Sequence, residues 1–119
     1  MSARLKIAEE PVGDVTILRL DGRFELEEGD LAFRDRVNAL LADGRTKIVL
    51  DFKNVTRIDS AGLGMLVSKY LSARRHGGTI KLLHLTHHSD HVIDITRLDT
   101  VFEIFDDEKA ALRSFGAAT

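Results

Sequence analysis

The stretch Val55-Thr56-Arg57-Ile58-Asp59-Ser60-Ala61-Gly62-Leu63-Gly64 holds the residues best placed to do chemistry, because a hydroxyl sits where an apolar segment gives way to a helical one. The first backbone N–H groups of a helix lack intrahelical partners, and the dipole there favours negative charge, so a side-chain oxygen is welcome at this junction. Read from the pattern alone, Ser60 is first of all the cap of that helix, with Gly62 and Gly64 allowing close packing. The same position also accommodates a phosphate on Ser60, since helix N-termini are ready anion sites. Asp59 either supports that site without being catalytic or only helps cap the helix.

Other groupings point to weaker chemistry. His84, His87, His88 and His91 crowd one region, and His87 with His91 could share a helix face as metal ligands. The Glu of a His-Glu-x-x-His arrangement is missing, which removes the metalloprotease reading, and a solvated helix start is the plainer one. Gly62-Leu63-Gly64 is not followed by Gly-Lys-Ser/Thr, so it is a poor nucleotide cradle. Ser60 does not stand in Gly-x-Ser-x-Gly, which argues against a hydrolase built on Ser60 with a nearby His and Asp. Lys69, Arg74, Arg75 and His76 form a basic run in the later half of a helix, where cations are the expected dipole partners.

Composition narrows the classes further. The 119 residues suit a single domain over 1–119, with 116–119 as a frayed tail. There are 17 Lys+Arg against 19 Asp+Glu, a net charge of −2, so no overall field holds a polyanion and nucleic acid is disfavoured as a ligand. The absence of cysteine excludes disulfides, a thiol nucleophile and thiolate metal sites. Met1 to Glu10 contains no apolar signal-peptide core, and the apolar stretch Ala61 to Ser68 is far short of the ~20 residues that cross a bilayer. The expected location is the cytoplasm, with no membrane insertion, cofactor or metal.

The elements that must position Ser60 follow from periodicity. Leu5 and Ile7, a turn at Pro11-Val12-Gly13-Asp14, and Val15, Ile17, Leu18 and Leu20 predict a hairpin. Asp21-Gly22 predicts a strand break and a loop, after which Asp30 caps a helix carrying Leu31, Phe33, Val37, Leu40 and Leu41, closed by a left-handed Gly44. Lys47 to Phe52 reads as a central strand covered on both faces, followed by a turn at Asp51 to Asn54. Leu63, Leu66, Val67, Tyr70 and Leu71 then recur at helical spacing up to Gly77-Gly78. Ile80, Leu82, Leu83 and Leu85 predict a buried strand, Thr86 to Arg97 a helix with Val92 and Ile95 inward, and Val101 to Phe105 a last strand. Asp106 caps a final helix packing Ala110, Ala111, Leu112 and Phe115. Right-handed crossovers among such elements give an α/β fold with a mostly parallel or mixed sheet and four helices mainly on one face.

Val55, Ile58, Asp59, Ser60, Ala61, Gly62, Leu63 and Gly64 resemble the signature of the STAS-domain anti-sigma factor antagonists, or anti-anti-sigma factors. The similarity extends to Asp21-Gly22-Arg23-Phe24-Glu25, the Gly77-Gly78 break and Leu98 to Phe105. It implies a small α/β switch protein without catalysis of its own. Its serine, matched by Ser60, is phosphorylated by an anti-sigma factor that is also a serine kinase; the unphosphorylated form binds that kinase and frees the sigma factor, and a serine phosphatase resets it. Sites in open α/β sheets gather at strand carboxyl ends, which places the partner surface on Gly22, Arg23, Phe24 and Glu25, on Asp59, Ser60, Ala61, Gly62 and Leu63, and on Thr86 and His87. Two features depart from the family pattern: Ala61 stands where many members carry a second hydroxyl, and Gly22-Arg23-Phe24-Glu25 replaces Gly-Glu-hydrophobic-Asp, so partner specificity is expected to differ. The alternative within the same family is a non-switching scaffold subunit of a signalling assembly or a lipid-transport complex.

Overall fold

The structure, a computed structural model, describes residues 4–116. Five strands, β1 (Lys6–Val12), β2 (Val15–Phe24), β3 (Lys47–Ile58), β4 (Thr79–Leu83) and β5 (Ile104–Phe105), form one sheet in the order β1-β2-β3-β4-β5. β1 runs antiparallel to β2, and every other pairing is parallel. The helices are α1 (Asp30–Ala42), α2 (Ser60–Arg75), α3 (His87–Ile95) and α4 (Glu108–Arg113), with a 3-10 turn over Leu98–Thr100.

Alternation along the central strands divides the core in two. Ile48, Leu50, Ile80 and Leu82 face α1, α2 and α3 through Phe33, Val37, Leu66, Ala73 and Ile93, whereas Val15, Ile17, Val49 and Leu83 face Ala111 of α4. β3 is therefore apolar on both faces because both are covered. Three helices on one face and one on the other agree with the expected architecture. α1 and α2 end alike: Gly44 (φ 80°) and Gly77 (φ 85°) are left-handed. Arg45 N–H donates to Leu40 O and Gly78 N–H to Ala73 O, the reach-back pattern that satisfies a last-turn carbonyl.

Several boundaries differ from the periodicity reading. Pro11 and Val12 belong to β1, so the hairpin turn is only Gly13-Asp14. Asp21-Gly22 does not break β2 but marks register irregularities between Arg19 and Asp21 and between Gly22 and Arg23, with Gly22 at φ 118°; a bulge bends a strand without ending it. The turn expected at Asp51 to Asn54 is absent too. Asp51 takes the Lys53 N–H locally, and β3 runs on because Val55 and Ile58 still reach the core. Gly29, not Asp30, is the N-cap of α1, and Leu31 is exposed. β4 ends before Leu85, and β5 is only Ile104–Phe105. Ile93 rather than Ile95 is the buried apolar position of α3, and Asp107 rather than Asp106 caps α4. Of the expected frayed tail only Gly116 lies within the described residues; 117–119 lie outside them.

Two polar anchors hold the α4 face, and periodicity shows neither. Arg19 joins Glu10 on β1 (2.8 Å), Asp51 on β3 (2.9 Å) and Glu108 on α4 (3.0 Å). Its pKa is raised above the usual arginine range, chiefly by the Glu108 hydrogen bond, with those to Glu10 and Asp51 adding and burial opposing. Lys81 is buried with its stem in the sheet and its ammonium on Ser114 Oγ (2.8 Å), Glu103 (3.2 Å) and the face of Phe115 (4.3 Å).

Candidate functional site

Ser60 is the first residue of α2 and is exposed, but it is not the cap. Asp59 is: in extended backbone, its Oδ1 accepts the Gly62 N–H at 2.8 Å, which satisfies an otherwise orphaned donor of the first turn. This corrects the reading of Ser60 as the N-cap and relieves the Ser60 hydroxyl of that duty.

The parallel pairing of β2 with β3 sets what lies beside α2. Phe24 pairs with Ile58, the residue before Asp59, and the Phe24 carbonyl accepts the Asp59 N–H at 3.4 Å. Gly62 packs directly on that carbonyl: a Cβ at position 62 would overlap Phe24 O, whereas one at position 64 would meet nothing within 4 Å. The two glycines of the motif thus have different jobs. Gly62→Ala is expected to lower stability by about 1–3 kcal/mol, because backbone must give way. Gly64→Ala is expected to raise it by about 0.5–1 kcal/mol through helix propensity alone. Urea melts of both variants check this, and a stabilised Gly62→Ala would refute the close approach.

Beyond Phe24 the chain makes a tight turn in which Glu25 O accepts the N–H groups of Glu28, Gly29 and Asp30. The Glu25 carboxylate meets Arg57 (3.2 Å), with Arg23 farther off at 3.9 Å. The tip of the turn is Leu26, 61% exposed, whose N–H donates to Asp59 Oδ2 at 3.2 Å. From the other side, Thr86 caps α3 in a reciprocal box with Ser89. His88 Nε2 accepts the Ile58 N–H at 3.3 Å.

The β2 end, the α2 start and the α3 start therefore converge, as the strand-end rule predicts. Their residues do not all face outward. Arg23, Ser60 and His87 are exposed, and Glu25, Asp59, Ala61, Leu63 and Thr86 are half-buried. Gly22 and Gly62 are buried, and Phe24 is 0% exposed, with its ring 4.8 Å from that of Phe33. Phe24 is thus corrected from a contact residue to a core residue. Leu26 is a surface feature the pattern did not single out; an apolar residue inside an acidic run was the available signal. His88 was grouped with the other histidines as solvated, and only the fold shows its backbone hydrogen bond. His87 and His91 are both exposed on α3.

The molecule is thus a single-sheet α/β protein whose candidate site is a solvent-facing hydroxyl on the first turn of a helix that an adjacent aspartate caps. A family model described as "Mlab, STAS domain" matches residues 7–105. The chain belongs to the STAS-domain family, which includes anti-sigma factor antagonists. The anti-sigma F factor antagonist of Paenibacillus polymyxa is 28% identical over 108 residues, covering 91% of this chain and 92% of that one. Two solved structures share the fold. An anti-sigma factor antagonist from Mycobacterium paratuberculosis superposes with a TM-score of 0.83 at 22% identity, over 96% of this chain and 97% of that one. The Bacillus cell fate determinant SpoIIAA, in its phosphorylated form, gives 0.74 at 18%, over 93% and 100%. Among the described residues no helix is long and apolar enough to cross a membrane.

Proposed function

We propose that this protein is an anti-sigma factor antagonist switched by phosphorylation of Ser60. Unphosphorylated, it binds an anti-sigma factor that is also a serine kinase and so releases the sigma factor; the kinase phosphorylates Ser60, and a serine phosphatase restores the binding form. It acts in the cytoplasm as one domain and catalyses nothing itself. The observation that carries this reading is the exposed Ser60 hydroxyl at the start of α2, with Asp59 already serving as cap. Such a hydroxyl is reachable by another protein's active site, and a phosphate on it meets a helix dipole of favourable sign. The name of the Paenibacillus relative, an anti-sigma F factor antagonist, supports the antagonist part of this reading.

Intact-mass measurement after incubation with ATP and the partner kinase tests the switch. One phosphate is expected on the wild type and none on Ser60→Ala. A wild type that takes up no phosphate yet binds the same partner would transfer the assignment to the scaffold reading.

A further inference from the structure

We propose that Asp59 is a positioning residue that conveys the state of Ser60 to the Leu26 turn, so that phosphorylation loosens that turn as well as placing charge on α2. The inference deepens the proposed function and rests on Ser60 being the phosphoacceptor.

The Asp59 carboxylate holds two elements that are far apart in sequence. Oδ1 takes the Gly62 N–H of α2 at 2.8 Å, and Oδ2 takes the Leu26 N–H at 3.2 Å. The carboxylate is planar, so rotating it away from one donor moves it from the other. The residues on either side of the turn are fixed independently of it. Phe24 is buried, with its carbonyl on the Asp59 N–H, and Gly29 is packed so closely on Leu5 and the Arg23 carbonyl that a Cβ there would clash. Between them Glu27 sits at φ 63°, a left-handed conformation that a non-glycine residue keeps only under external constraint. Leu26, at the tip, is an exposed apolar side chain whose N–H is bonded to the residue preceding Ser60.

A phosphate on Ser60 brings about −1.5 to −2 charges to the residue adjoining Asp59. It also competes for the first-turn N–H groups, including the one Asp59 now holds. Repulsion and competition act in the same direction, turning the carboxylate outward. The Leu26 N–H is then left to water, while the Phe24 anchor on the Asp59 backbone remains. The change is thereby confined to the turn, and the sheet is spared.

The test uses the full chain with phosphoserine installed at position 60 during synthesis, so that no kinase is involved. Amide exchange followed by NMR should show the Leu26 N–H exchanging about tenfold faster in the phosphoserine protein, the loss of one charge-assisted hydrogen bond at ~1.4 kcal/mol per decade. The core amide of Leu50 serves as the unchanged reference. In an Asp59→Asn background Leu26 should already exchange fast, and phosphoserine should add less than about twofold. The Asp59 side-chain carboxyl carbon shift, which needs no variant, should move with the Leu26 amide. An unchanged Leu26 amide in the phosphoserine protein, or equal acceleration with Asp59→Asn, would overturn the coupling. Phosphate uptake from the kinase is read separately, so failure of the switch and failure of the relay are distinguishable.

Discussion

A phosphate on Ser60 is expected to weaken the complex with the anti-sigma factor kinase by roughly 30-fold or more, with little change in melting temperature. In the free protein the charge faces water and the N-terminus of α2, an environment that tolerates an anion. In the proposed complex the same charge would be desolvated against a surface fitted to a hydroxyl, and mispairing a buried polar contact costs about 2–5 kcal/mol. At ~1.4 kcal/mol per decade, even the lower part of that range gives the stated loss. Ser60→Ala should bind like the unphosphorylated protein and never switch, and Ser60→Asp should weaken binding without a kinase present. Calorimetric titrations of the three forms, with melts alongside, separate the possibilities. Equal affinities for wild type and Ser60→Asp would count decisively against an electrostatic switch.

Phe24→Ala is expected to destabilise the fold by about 3–5 kcal/mol, the usual cost of emptying a buried aromatic site. The side chain is 0% exposed, with its ring 4.8 Å from that of Phe33 and 6.3 Å from that of Phe52. Its backbone carries the other load: the carbonyl takes the Asp59 N–H and lies under Gly62. A cavity here should therefore disturb the start of α2 as well as the core, lowering the melting temperature by roughly 10 °C or more. Phe24→Leu should keep most of the stability and most of the partner affinity, because the ring is buried in the core. A Phe24→Ala protein as stable as the wild type but unable to bind would return Phe24 to the contact surface.

The placement of Phe24 shows where reading along the chain ran out. Gly22-Arg23-Phe24-Glu25 looks like an exposed loop because Asp-Gly is a strong turn signal and charges surround it. In the fold, β2 absorbs the irregularity as a bulge and delivers Phe24 to the core beside Ile58. Ser60 went the other way. A hydroxyl at a helix start is a good cap, and so is the aspartate before it; which one caps depends on where the helix begins, and β3 running to Ile58 makes Asp59 the cap. The hydrogen bonds of Lys81, Arg19 and His88 could not be read along the chain because their partners are distant in sequence: Lys81 meets Ser114, Arg19 meets Glu108 and His88 meets Ile58. No local pattern records such pairs.

Apolar periodicity, glycine placement and the Asp59-Ser60 junction were enough by themselves to determine the α/β class, the order of the elements and the central position of β3. These are local properties, set by which face of each segment must be buried and by where the backbone needs a left-handed residue. Only the tertiary structure decided that α4 covers the opposite face of the sheet from the other three helices. It alone decided which residues of the site face solvent, and that one carboxylate ties the start of α2 to the Leu26 turn. Exposure and long-range hydrogen bonds depend on strand register and on what lies across the sheet, and those are settled when the elements pack together.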